Sequence, residues 1–244
     1  MTEGKILFVT GASSDVGNAL IRKVEKNYEK IWAHFCDSQN AINKLQEEYG
    51  EKIIPIQSDF FCEKSIQDLI YRIIKSGNVP DHVVHLAAPQ IFNKKYHKCL
   101  WRDYQEGIDI SLRPIVMILK TLIPEMIKKK YGKVVFMLTD SVIGMPPKFL
   151  SPYITVKYAL LGLMKSLAVE YAGKGITINA VSPDMMETKF LSGIPELVIE
   201  QNAKNNPLGR NLTVDDVIPA FEYFLSEKAN VVTGQNIGIT GGKK

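Results

Sequence analysis

Seven short runs rich in Val, Ile and Phe recur along this chain, at Ile6–Val9, Ile31–Phe35, Ile53–Ser58, His82–Leu86, Lys133–Leu138, Thr177–Ser182 and Asn236–Ile239. Longer stretches separate them, at Val16–Lys26, Ala41–Tyr49, Glu63–Ser76, Tyr104–Lys129, Tyr153–Ala172 and Asp215–Ser226, where apolar residues return at helical spacing. The runs have the length and residue content of strands, and the stretches have the period of helices with one apolar face. Strands joined by helices must lie parallel, because a tight hairpin joins only antiparallel neighbours. The expected fold is α/β: a doubly wound parallel sheet in three layers, α/β/α.

No Pro-, Gly- or Ser-rich linker divides the 244 residues, so residues 1–244 are expected to form one domain. The longest irregular segment runs from Met185 to about Leu212. In a doubly wound sheet it would lie over the carboxyl ends of the strands, where ligands bind, which makes 185–212 the candidate substrate lid.

Composition removes several classes of function. Three widely spaced cysteines, Cys36, Cys62 and Cys99, suit neither a disulfide framework nor a zinc site, so a reducing compartment and no metal are expected. The opening MTEGKILFVTGASS shows no cleavage pattern. No segment approaches the roughly 18 apolar residues of a membrane span. A cytoplasmic chain without membrane attachment is the expectation. The formal net charge of +4 comes from local runs such as Lys128–Lys130 and Lys243–Lys244 rather than from one stripe. That argues against nucleic acid and suits a polyanionic cofactor or an acidic carrier.

The first run leads straight into Thr10-Gly11-Ala12-Ser13-Ser14-Asp15-Val16-Gly17 and then into the first helical stretch. Gly11 lets backbone approach a pyrophosphate without a Cβ in the way, and the helix that follows offers free N–H groups and the positive end of its dipole. Gly11, Ser13, Ser14, Asp15, Val16 and Gly17 are therefore candidate phosphate-binding residues of a Rossmann fold. The segment resembles the TGxxxGxG fingerprint of the short-chain dehydrogenase/reductase family, matched at Thr10, Gly11 and Gly17. Asp15 stands where that fingerprint has its middle glycine. Its carboxylate either repels the diphosphate or serves as a helix N-cap turned to solvent, and the cap is the favoured reading.

The second run ends Ala33-His34-Phe35-Cys36-Asp37-Ser38. Cys36 occupies the place of the acid that selects NAD, with Asp37 one residue beyond, and the H-F-x-x-S pattern is similar to family members that use NADP. NADP(H) is expected over NAD(H). By the same resemblance Asp59 and Phe60 would contact the adenine, and Ala87 and Ala88 would admit the cofactor closely after the fourth run. Pro183, Met186 and Thr188, in a segment similar to the family's PGxxxT, would hold the nicotinamide amide; there Asp184 replaces the glycine.

Tyr153 and Lys157 form YxxxK at the start of a helical stretch, an i, i+4 pair on one face. The ammonium would favour phenolate and lower the Tyr153 pKa. The resemblance implies that Tyr153 is the general acid in carbonyl reduction and that Lys157 also holds the nicotinamide ribose, both therefore touching cofactor. A hydroxyl at the end of the fifth run would orient the substrate oxygen. Counting forward from Gly132 gives Thr139, counting back from Tyr153 gives Asp140, and the local S-V-x-G pattern gives Ser141. In an extended strand Thr139 and Ser141 share a face and Asp140 looks away, so Ser141 is the first choice and Thr139 the second. The family's relay asparagine falls on Ser111.

The C-terminal stretch from Pro207 through Thr233-Gly234-Gln235 to Gly241-Gly242 also matches, so the resemblance covers nearly the whole chain. It implies an NAD(P)-dependent oxidoreductase acting on a ketone/secondary alcohol pair, with a small-molecule or carrier-linked carbonyl substrate such as a 3-oxoacyl thioester. A homodimer or homotetramer built on the long helices is also implied. Lys130 and Lys174 fall where 3-oxoacyl-carrier-protein reductases carry basic residues, although such positions are also common on solvated loops. Two other readings stand beside it. Asp15, Ser111 and Asp184 suggest a catalytically impaired cofactor-binding or partner subunit. His85-Leu86-Ala87-Ala88 is similar to the motif of enzymes that act on nucleotide sugars, which suggests an enzyme modifying nucleotide-linked or surface sugars.

Overall fold

The computed structural model describes residues 4–243, so Lys244 of the terminal charge run and residues 1–3 lie outside the described residues. All seven expected strands form: β1 (Ile6–Thr10), β2 (Lys30–Phe35), β3 (Ile53–Gln57), β4 (His82–His85), β5 (Gly132–Met137), β6 (Ile176–Pro183) and β7 (Asn236–Ile239). They make one parallel sheet in the order β3-β2-β1-β4-β5-β6-β7. The order reverses direction between β1 and β4, and a crevice opens there at the carboxyl ends of the strands.

Strand periodicity assigns the two faces. Leu7, Val9, Ile31, Ala33, Val84, Val135 and Val181 point to one side, where they meet Leu20 and Ile21 of α1 (Asp15–Val24), Ile42 and Leu45 of α2 (Gln39–Tyr49) and Phe221 of a later helix. Phe8, Trp32, Val83, Val134, Phe136, Ile178 and Ala180 point to the other, against Ile66 and Leu69 of α3 (Glu63–Lys75). Ile118 and Leu122 of a longer helix cover the same side. Each Val, Leu, Ile or Phe side chain among these contributes about 1.5–3 kcal/mol when fully buried, which locks the register of the central strands.

Two helical expectations need correction. The stretch 104–129 is helical throughout, as expected, but not regular. It divides into α4 (Trp101–Gly107), a wider π turn at Ile108–Leu112 and α5 (Arg113–Lys129). Pro114 in the first turn of α5 has no N–H to give to the preceding turn, which suits the widened π turn before it. The lid is not irregular throughout. After α6 (Ser151–Glu170) and β6 it holds a 3₁₀ turn at Lys189–Gly193 and α7 (Glu196–Asn205), followed by α8 (Val214–Leu225). Its two ends are zipped at the base, where the Glu187 N–H donates to Leu212 C=O at 2.9 Å and the Leu212 N–H to Met185 C=O at 3.0 Å. Among the described residues no helix is long and apolar enough to cross a membrane, and no cluster of side chains is suited to a metal ion.

Candidate active site

The carboxyl ends of the strands frame one cleft of about 1830 Å³. Every site residue expected from the sequence lines it except Gly17 and Ser111. Its phosphate end is built by the turn after β1. Gly11 has φ +68°, and a Cβ there would lie 3.2 Å from the Ala87 nitrogen. A side chain would be both strained in that conformation and crowded against the next strand. Gly17 is required for a different reason, since its Cβ would meet the Gly11 carbonyl oxygen at 2.6 Å as α1 leaves the turn.

The N-cap of α1 is Ser14, not Asp15. Ser14 Oγ accepts from the Gly17 N–H at 3.0 Å and donates to the Gly11 carbonyl at 2.7 Å. A hydroxyl one residue before the helix has the reach to meet the third helical amide, whereas Asp15 is already the first helical residue. Nor does Asp15 face open solvent: its Oδ2 accepts the backbone N–H of Lys189, in the lid, at 2.9 Å.

His34, read from the sequence only as part of the H-F-x-x-S pattern, holds this turn in place. Its Nδ1 accepts from the Gly11 N–H at 3.0 Å, its Nε2 meets the Ser58 carbonyl at 3.0 Å, and its carbonyl accepts the Ala12 N–H at 2.8 Å. Burial pushes the imidazole down to about 4, so the ring is neutral, and the carbonyl bond fixes the proton on Nε2. Phe60 stacks on that ring at 3.9 Å and is itself buried. One face of Phe60 is thus used in the core. The carboxylate of Asp59 accepts the Phe61 N–H at 2.8 Å and so makes a turn as well as lining the cleft.

At the neighbouring corner Cys36 and Asp37 line the cleft with Ser38, Asn40 and Lys44. Burial, aided by the charges of Asp37 and Asp59, pushes the Cys36 thiol up to about 11, so it stands neutral where an acid would exclude a 2′-phosphate.

A second buried histidine joins β4 to the π turn. His85 Nδ1 pairs with Thr10 Oγ1 at 2.8 Å, and Nε2 meets the Ser111 carbonyl at 2.8 Å. Burial lowers His85 to about 3, leaving a neutral ring that accepts from Thr10 and donates to Ser111. The same Thr10 oxygen accepts from the Leu86 and Ala87 N–H groups at 3.1 and 3.3 Å, which orients the Ala87-Ala88 backbone along the cleft. The signal for this role was the His85 side chain itself, read earlier only as part of a sugar-enzyme pattern. Ser111 is buried on the far side of Lys157, where it lines a separate cavity of about 240 Å³ behind Tyr153.

Tyr153 and Lys157 occupy the first two turns of α6. Lys157 is buried, its Nζ donating to the Met137 carbonyl at 2.8 Å and lying 5.5 Å from the centre of the Tyr153 ring. Burial lowers Lys157 to about 8, so it still carries its proton at neutral pH. Burial raises Tyr153 above the ordinary phenol range, against the nearby Thr139 hydroxyl, which lowers it, and the charge of Asp140 adds to the rise. The expected lowering of the phenol by Lys157 is therefore overturned by desolvation of the phenolate.

The candidate hydroxyls are not on an extended strand. β5 ends at Met137, and Asp140–Val142 winds into a 3₁₀ turn capped by Thr139, so Asp140 also faces the cleft. Thr139 and Ser141 both line the cleft that holds Tyr153. Ser141 Oγ lies 3.4 Å from Thr139 Oγ1 and 3.3 Å from Asp140 Oδ1. Asp140 is raised by burial and by the nearby Asp184.

Pro183, Met186 and Thr188 line the wall beneath the lid. Asp184, one of the substitutions that suggested an impaired subunit, is buried and satisfied: Lys243 Nζ donates to Oδ1 at 2.8 Å, and Asn206 and Asn202 donate to Oδ2 at 3.0 and 3.2 Å. Although burial opposes ionisation, these bonds hold Asp184 below the usual carboxylate range.

The cleft fits a dinucleotide on its own geometry. A glycine turn without Cβ atoms meets a helix N-terminus at one end, and a Tyr–Lys pair with a hydroxyl stands at the other.

A family model described as enoyl-(acyl carrier protein) reductase matches residues 11–244. The chain is 30% identical over 243 residues to the 3-oxoacyl-[acyl-carrier-protein] reductase FabG of Buchnera aphidicola, covering 98% of this chain and 97% of that one. In fold it is similar to a putative gluconate dehydrogenase from Agrobacterium tumefaciens, with TM-score 0.89, 23% identity and coverage of 98% and 96%. It is also similar to ElxO with NADP bound, with TM-score 0.86, 24% identity and coverage of 99% of both chains. A 3-oxoacyl-[acyl-carrier protein] reductase from Brucella melitensis with bound NAD gives TM-score 0.84, 22% identity and coverage of 99% and 91%.

Proposed function

The chain belongs to the short-chain dehydrogenase/reductase family of oxidoreductases, and on that premise we propose that it interconverts a ketone and a secondary alcohol with NADP(H) in preference to NAD(H). The observation that carries this reading is the convergence of the Tyr153 phenol, the Thr139 hydroxyl and Lys157 in the same cleft as the phosphate turn.

When bound, the nicotinamide nucleotide supplies or accepts the hydride. The turn from Gly11 to Val16 would hold its diphosphate, Cys36 to Ser38 with Lys44 the adenosine ribose and its phosphate, and Pro183, Met186 and Thr188 the nicotinamide end. Lys157 spends one N–H on Met137 and keeps others for the ribose. Tyr153 is protonated at neutral pH, so its O–H donates to the oxygen that becomes the alkoxide. Thr139 would orient that oxygen, with Ser141 beside it. Ser111 would hold a water in the rear cavity, close to Lys157.

A 3-oxoacyl thioester suits the substrate half, where Ile91, Leu191 and Ile194 form a small apolar cluster with Leu150, Met185 and Phe190 against it. Lys130 and Lys174 lie by the amino ends of β5 and β6, where the Gly132 N–H meets the Gly175 carbonyl at 3.1 Å. They are at the opposite end of the sheet from Tyr153. A carrier docked on them would therefore serve the cleft of another subunit, in a homodimer or homotetramer built on the half-exposed Val116 of α5 and Tyr158 of α6.

Fluorescence titration with NADPH and NADH tests the reading: tighter binding of NADPH supports it, and binding of neither contradicts it. The carboxylate of Asp15 at the phosphate turn favours one second reading, a partner subunit with little turnover. The titration separates the two if binding appears only in Asp15→Gly.

A further inference from the structure

The lid is seated at fixed points on both sides of the cleft. On one side the Gln90 side chain donates to the Phe190 carbonyl at 2.8 Å and to Ser192 Oγ at 3.1 Å. Gly193 lies so close to the same loop that a Cβ would stand 2.2 Å from the Ile91 carbonyl oxygen. On the other side the contact is Asp15, 174 residues away in sequence, whose carboxylate accepts the Lys189 N–H. Lys189 opens the 3₁₀ turn, and the next residue is Phe190, whose ring lies 6.3 Å from that of Tyr153. One side chain of the phosphate turn thus fixes the backbone that places an aromatic ring against the proton donor.

We propose that Asp15 is a positioning residue, which ties the lid to the phosphate turn at Lys189 and so sets Phe190 against Tyr153 over the substrate. The inference rests on the oxidoreductase reading for its kinetic consequence, while the tie itself does not. The carboxylate has two separable effects. Its charge opposes a diphosphate at the start of α1, and its oxygen holds the lid. An amide oxygen removes the first and keeps the second, since it also accepts a backbone N–H.

The test compares wild type with Asp15→Gly, Asp15→Ala and Asp15→Asn, using amide hydrogen exchange over 187–194 without nucleotide, then NADPH affinity, kcat and KM on a responsive ketone. Gly and Ala are expected to speed exchange about fivefold and to raise KM by a similar factor, the effect of losing one exposed charge-assisted bond. Asn is expected to leave exchange and KM near wild type while tightening NADPH binding as much as the other two. Ala guards against a flexible helix start produced by Gly. Unchanged exchange in Gly and Ala would overturn the proposal, as would an Asn variant that exchanges as fast as they do. Changed exchange with no NADPH binding in any form would instead sink the oxidoreductase reading and leave the tie standing.

Discussion

Replacing Thr139 by valine tests which hydroxyl orients the reacting oxygen. Valine keeps the branched shape and removes one O–H, and Thr139 is buried, so its neighbours need not move. The hydroxyl caps the Asp140–Val142 turn through a bond of 3.4 Å from the Ser141 N–H, and losing that cap costs about 1 kcal/mol of stability. Its proposed catalytic worth is larger. A donor aimed at developing negative charge contributes about 2.7–4 kcal/mol, or about 10²–10³ in kcat. Thr139→Val is therefore expected to lose at least about a hundredfold in kcat with little change in KM, and Thr139→Ser to recover most of it. Ser141→Ala removes a group 3.4 Å from Thr139 Oγ1 and is expected to lose about tenfold or less. Steady-state ketone reduction by the three variants, each checked for thermal unfolding, decides the matter. A Ser141→Ala loss exceeding that of Thr139→Val would refute the assignment and restore Ser141 as first choice.

Lys157 sits at about 8 when folded against an ordinary 10.5, so its charged form is disfavoured by folding and the cost is fully present below pH 8. The cost, about 3 kcal/mol, fades as pH rises from 8 to 10.5. Lys157→Met should accordingly unfold at a higher temperature than wild type at pH 7, the gap should close towards pH 10.5, and turnover should be abolished; a gap independent of pH would show that Lys157 is not desolvated as described. Gly17→Ala forces a Cβ to within 2.6 Å of the Gly11 carbonyl and should destabilise by about 1–3 kcal/mol while weakening NADPH binding at least tenfold, measured by denaturant unfolding and titration. His34→Phe removes the acceptor of the Gly11 N–H and should weaken NADPH about tenfold, with unchanged affinity showing that the turn holds without it.

The central strands were legible because they alternate between two buried faces, so that Leu7 and Phe8, or Val135 and Phe136, enter opposite cores. Tyr153 and Lys157 were legible because an i, i+4 pair on a helix has a fixed mutual geometry. The choice among Thr139, Asp140 and Ser141 was not, since strand phase was extended past Met137 into residues that wind into a 3₁₀ turn. The roles of Asp15 and Asp184 were hidden for another reason. Their partners, Lys189 for one and Asn202, Asn206 and Lys243 for the other, lie on the lid and the C-terminal segment, and no local pattern announces them. Burial of the phenol likewise comes from tertiary packing, which is why the sign of the Tyr153 shift was misjudged.

The most direct test of the account is oxidation of NADPH by a panel of ketones and 3-oxoacyl thioester mimics, catalysed by wild type and by Tyr153→Phe, with both shown to bind NADPH. The account predicts turnover of at least one substrate by wild type and its loss in Tyr153→Phe with nucleotide affinity intact. Equal turnover by the two proteins would contradict the placement of the proton donor at Tyr153.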